Sequence, residues 1–125
     1  MATELPYQRT KDWELPGFPA IDTATLGLLL LSDVPVVVVD ARDCSAQGGK
    51  CIPGASHLSA VSTADEIASV INSKWSLVVA YCVDTHCPAR LGMCRRLRGL
   101  GYRNVLQYPE GIVGWAAAGY PLAEA

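Results

Sequence analysis

The run Val36-Val37-Val38-Val39, ending on Asp40, constrains the fold more than any other stretch of the chain. Successive side chains of a strand point to opposite faces, so an unbroken β-branched run cannot lie on a sheet with one wet side. This strand must be covered twice. Leu77-Val78-Val79-Ala80-Tyr81 repeats the pattern, and shorter strands are expected within Ile52–Leu58 and at Asn104–Gln107. Helical stretches fall between them. One is short and runs through Leu31, capped at its start by Asp22 or Thr23 and ended near Ser32–Asp33 ahead of Pro35. A second starts at Ser62 or Thr63 with Ile67, Val70 and Ile71 on one face. A third spans Ala89 to Leu100, closed by Gly99 or Gly101, and a short fourth covers Gly114 to Ala118. Strands alternating with helices at this spacing predict a doubly covered, mainly parallel α/β sheet.

With 125 residues the chain can build one domain with a real core, and the regular pattern assigns that domain to residues 21–125. Residues 1–20, with Pro6, Pro16, Gly17 and Pro19, read as an irregular lead-in whose Trp13 and Phe18 dock on the domain. The formal charge of −2 gives no electrostatic case for a nucleic-acid partner. Arg90, Arg95, Arg96, Arg98 and Arg103 form the densest basic stretch, read as a solvated helix face and C-terminus. Met1 to Thr10 shows no cationic start followed by an apolar run, and Leu26–Leu31 is too short to span a bilayer. The expectation is therefore a cytoplasmic protein with no membrane partner. The five cysteines, Cys44, Cys51, Cys82, Cys87 and Cys94, are odd in number and lack metal-finger spacing. In a reducing compartment they read as free thiols, with no metal and no cofactor implied.

Ligands of parallel α/β sheets bind at the carboxyl ends of strands, and that rule points to Cys82. It ends a buried strand and is followed by Val83-Asp84-Thr85-His86-Cys87-Pro88-Ala89, a polar loop leading into a helix. A thiol there lies over backbone N–H groups backed by a helix N-terminus, which lowers its pKa and favours an anionic substrate or an anionic sulfur. The alternative for any one cysteine at a strand end is a buried core residue.

Around this cysteine the chain resembles the rhodanese homology domain, over nearly all of Ile21 to Leu122. Val39-Asp40-Ala41-Arg42 is similar to the family's strand-end Asp-x-Arg, and Ile52-Pro53-Gly54-Ala55 with His57 to its Ile-Pro-Gly-Ala turn. Tyr81-Cys82 resembles the strand that ends on the nucleophile. Leu97 with Leu100-Gly101-Tyr102-Arg103-Asn104-Val105 matches the helix-to-strand joint, and Gly111-Ile112, Trp115 and Ala118-Gly119-Tyr120-Pro121 the closing segment. The resemblance implies a rhodanese-like three-layer domain with a mainly parallel five-stranded sheet and helices on both faces. It also implies a sulfurtransferase. Cys82 would take the outer sulfur of thiosulfate or a persulfide, hold it as a cysteine persulfide cradled by loop amides, and yield it to a thiophilic acceptor. The implied partners are a small anionic sulfur donor and a protein or small-thiol acceptor. Asp40 and Arg42 would form a supporting ion pair beneath the loop.

The loop differs from the common family form. It holds no Gly, is longer, and contains a second thiol, Cys87. Three readings of Cys87 stay open: an inert loop residue, a resolving thiol toward Cys82, or the nucleophile itself. Cys51 stands where relatives often carry a His, and is read as packing or as a sulfur acceptor; Cys94 shares an apolar helix face with Leu91 and Leu97. His86 is an exposed loop residue or tunes a thiol, His57 a hydrogen-bonded structural residue, and Trp115 and Tyr108 core or pocket-rim aromatics. Two other functions compete. One is a non-catalytic binding or sulfur-carrier module on the same fold. The other is a thiol-dependent phosphatase or arsenate reductase, which needs Cys-x5-Arg for bidentate oxyanion binding but has Pro88 at the Arg position.

Overall fold

A computed structural model describes residues 18–42 and 49–124. Chain order is α1 (Thr23–Leu31), β1 (Val37–Asp40), β2 (Lys50–Cys51), β3 (Ser56–His57), α2 (Ala64–Val70), β4 (Leu77–Tyr81), α3 (Ala89–Gly99), β5 (Asn104–Tyr108), α4 (Gly111–Ala117) and β6 (Ala123–Glu124). The main sheet has the order β3-β1-β4-β5 and is parallel throughout. Among the described residues it has four strands, where five were expected. Beyond its β5 edge the described residues add a single-residue parallel bridge, Ala20 to Gln107, which is followed almost at once by the capped start of α1.

The valine runs behave as their pattern requires. Val39, Val78 and Ala80 face one core with Ile67, Ile71, Met93, Cys94, Leu97 and Tyr102, from α2, α3 and the turn after α3. Val38, Val79 and Tyr81 face a second core with Leu26, Ile52, Tyr108 and Trp115, from α1, the β2–β3 turn, the end of β5 and α4. Alternate residues of one strand thus serve opposite cores, and three layers follow.

The helix ends are set by local chemistry. Asp22 caps α1 by accepting from the Thr25 N–H at 2.8 Å. Thr63 and Glu66 form a reciprocal capping box on α2, which satisfies two otherwise orphaned N–H groups. Gly101, with φ of 96°, lets the chain leave α3 in a left-handed turn. Helix α4 starts three residues earlier than the sequence pattern suggested, at Gly111. The pairing of β2 with β6 was not anticipated at all. Phe18 docks as expected, buried in the α2–α3 core beneath the Arg98 guanidinium; Trp13 lies outside the described residues. No described helix is long and apolar enough to cross a membrane.

Candidate active site

The strand order turns on β1 and β4. From β1 the chain steps to β3 on one side, then crosses to β4 on the other, so the crevice at their carboxyl ends is where such sheets receive ligands. Cys82 is the first residue beyond β4 and is 1% exposed. Its carbonyl accepts from the Ile112 N–H and that of Val83 from the Val113 N–H, both at 3.1 Å. The first turn of α4 therefore clamps the start of the thiol loop. Gly111 makes the clamp close enough. Its φ is 65°, and a Cβ there would fall 2.4 Å from the Val83 oxygen and 2.6 Å from the Cys82 oxygen. Both atoms are backbone and cannot swing aside. Gly111→Ala is expected to lower stability by about 1–3 kcal/mol from the dihedral alone, with the clash added, and to push Cys82 out of line. A urea midpoint equal to wild type would show that the loop tolerates the shift.

Asp84 curls the loop. Its side chain accepts from the His86 N–H at 2.9 Å and its carbonyl from the Cys87 N–H at 3.3 Å, an Asx turn. The turn folds Cys87 back onto Cys82; the two form a disulfide with Cα atoms 6.3 Å apart. This modifies the expected bowl of inward amides, since those of His86 and Cys87 are spent on Asp84. The amides that open α3 carry no side-chain cap, Pro88 having nothing to offer, so a helix N-terminus does back the loop. Val83, Thr85 and Ala89 are half-buried, whereas His86 and Pro88 are exposed.

Arg90 corrects the reading of the basic stretch as a solvated face. It is 0% exposed. Its Nε donates to Gln107 Oε1 at 2.9 Å and its Nη1 to the Cys87 carbonyl at 3.1 Å; Gln107 in turn donates from Nε2 to the Phe18 carbonyl at 3.1 Å. Burial pulls the guanidinium pKa below its ordinary value, opposed by the nearby Cys94 and Asp84. Arg95, Arg98 and Arg103 are exposed as expected, and Arg96 is half-buried with Nη2 on the Ser62 carbonyl.

Asp40 and Arg42 do pair, at the end of β1. Arg42 Nε reaches both carboxylate oxygens, at 3.0 and 3.1 Å, and Nη2 reaches Oδ2 at 2.7 Å. The Arg42 N–H adds a bond to Oδ1 at 3.0 Å, and the Tyr81 hydroxyl donates to Oδ2 at 2.8 Å. The hydrogen bond to Asp40 raises the Arg42 pKa against the effect of burial. Burial likewise drives the Tyr81 phenol well above its usual value. The network also reaches the β2–β3 turn. Arg42 Nη2 also holds the Lys50 carbonyl and Tyr81 accepts from the Ile52 N–H at 3.1 Å, so the network anchors the β2–β3 turn beside Tyr81-Cys82.

The other thiols stand apart. Cys94 is buried in the α2–α3 core, and burial pushes its pKa up to about 12. Burial also raises that of Cys51, whose Sγ points to the Glu124 carbonyl at 3.8 Å; packing in the β2–β6 pair describes it better than sulfur acceptance. Cys44 lies outside the described residues. Trp115 is core, stacked on Tyr120 with centroids 4.4 Å apart, and Tyr108 is core with its hydroxyl on Thr23.

A search of curated proteins returns no match. Among solved structures, the BH2092 protein from Bacillus halodurans is 21% identical, with a TM-score of 0.75 over 85% of this chain and 77% of that one. A rhodanese-like domain protein from Staphylococcus aureus is 22% identical, with a TM-score of 0.65 over 86% of this chain and 99% of its own. The thiosulfate sulfurtransferase from Pseudomonas aeruginosa is 20% identical, with a TM-score of 0.73; the match covers 86% of this chain but only 20% of that enzyme. At such identities the likeness speaks for the fold. The sequence profile of the rhodanese-like domain matches residues 23–118, and with most of its length so matched the chain belongs to the rhodanese-like domain family.

Proposed function

We propose that the protein is a sulfurtransferase that moves a sulfane sulfur through a persulfide on Cys82. The observation that carries the reading is the position of this thiol, at the carboxyl end of the central β4 and under a loop that runs into the uncapped N-terminus of α3. In the reduced protein the Cys82 thiolate attacks the outer sulfur of thiosulfate. An S–S bond forms to Cys82, the donor S–S bond breaks, and sulfite leaves with the electron pair. The helix end stabilises the anionic sulfur while it waits for its acceptor, a protein or small thiol. The phosphatase reading loses ground, because the first arginine after the loop, Arg90, is buried with Nε and Nη1 donating to Gln107 and the Cys87 carbonyl.

The test is mass spectrometry of the reduced protein after incubation with thiosulfate, with peptide mapping. A gain of one sulfur on the peptide bearing Cys82 is expected. No gain from thiosulfate or from a small-thiol persulfide would favour a non-catalytic module on the same fold.

A further inference from the structure

The loop places its second thiol with more care than an incidental residue needs. Asp84 fixes the turn through two hydrogen bonds, to the N–H groups of His86 and Cys87. From below, the buried Arg90 holds the Cys87 carbonyl, and Gln107 on β5 holds Arg90. Cys87 is thus tied to α3 and to the sheet as well as to its own loop. The Cα separation of 6.3 Å from Cys82 lies within the range a disulfide spans.

We propose that Cys87 is a resolving thiol that turns the Cys82 persulfide into sulfide, giving the protein a second, reductive outlet for sulfur. The proposal rests on the reading of Cys82 as the persulfide-bearing residue. The Cys87 thiolate attacks Cys82 Sγ, the inner sulfur of the persulfide. The Cys82–Cys87 bond forms, the bond between Cys82 Sγ and the sulfane sulfur breaks, and the sulfane sulfur leaves with the electron pair as hydrosulfide. The sulfane sulfur is reduced by two electrons while the two cysteines are oxidised to the disulfide. A dithiol reductant then returns the pair to the thiol state by exchange. Sulfur goes to an acceptor when one is bound and to hydrosulfide when none is, and Cys82 is shielded from over-oxidation meanwhile.

The experiment compares the reduced, desalted wild type with Cys87→Ala and Cys87→Ser, each given thiosulfate with no reductant or acceptor present. Sulfite release reports loading, hydrosulfide release reports resolution, and peptide mapping reports the state of both cysteines. The wild type should release about one hydrosulfide per sulfite and end with Cys82 joined to Cys87. In both variants this ratio should fall at least about ten-fold, with the extra sulfur retained on Cys82. A wild type that releases sulfite but keeps its persulfide beside a free Cys87 overturns the proposal, as do variants that yield hydrosulfide in the wild-type ratio. Absence of both sulfite and added sulfur in all three proteins overturns instead the underlying persulfide reading, and this proposal with it.

Discussion

Cys82→Ser is expected to cut sulfur transfer by roughly a thousand-fold or more, the scale seen when a covalent nucleophile is removed. A serine hydroxyl remains protonated at neutral pH, and an oxygen cannot take up and hold a sulfane sulfur as a thiolate does. The substitution is close in size and should leave the fold alone. Cys82 is buried, and what anchors it is its carbonyl on the Ile112 N–H, which the change does not touch. The comparison is made with both proteins reduced, so that the disulfide to Cys87 does not enter the stability reading. Sulfite production from thiosulfate and the urea midpoint are measured together. Undiminished transfer in the Ser variant would move the nucleophile to Cys87, the other thiol of the loop.

Most of the scaffold could be read from the sequence because its determinants are local. The valine runs dictated a twice-covered sheet, and the Asp22 and Thr63 caps start their helices where short polar side chains precede apolar periodicity. What escaped had no local signature. The β2–β6 pair joins residues more than seventy positions apart through two-residue strands, too short to carry a period. Gly111 was visible as a residue but not as a clearance, since its need for a missing Cβ comes from two carbonyls on a loop far away in sequence. Arg90 carries a charge that suggests the surface, while its position on α3 puts it inside. It lies four residues before Cys94 and seven before Leu97, on the helix face that both bury, and that spacing was the signal. Its burial is affordable because Gln107 and the Cys87 carbonyl accept from it, partners that only the fold supplies. The place of Cys82 at a strand end is something the sequence does record. The approach of Cys87 depended on how Asp84 would turn the loop, and sequence left several answers open.

The ion pair at the end of β1 gives the largest expected effect on stability. Asp40→Ala should destabilise the protein by about 3–5 kcal/mol, the range for breaking a buried pair from one side. Asp40 is 0% and Arg42 4% exposed, so water cannot replace the lost carboxylate in place. Removing it leaves a guanidinium whose Nε has lost both carboxylate partners, and it strips the acceptor from the Tyr81 hydroxyl. If the damage comes from a buried charge that has lost its carboxylate, then Asp40→Ala combined with Arg42→Met should be less destabilised than Asp40→Ala alone, although more contacts have been deleted. The Lys50 carbonyl loses its donor in the double variant, which keeps recovery partial. Urea unfolding of the reduced proteins reads all three, and unchanged m-values would place the effect in stability rather than in compactness. A midpoint for Asp40→Ala equal to wild type would show that the chain can relax to hydrate Arg42. The β2–β3 turn would then be held by β6 and by its own packing, with no need of the pair that adjoins Tyr81 and Cys82.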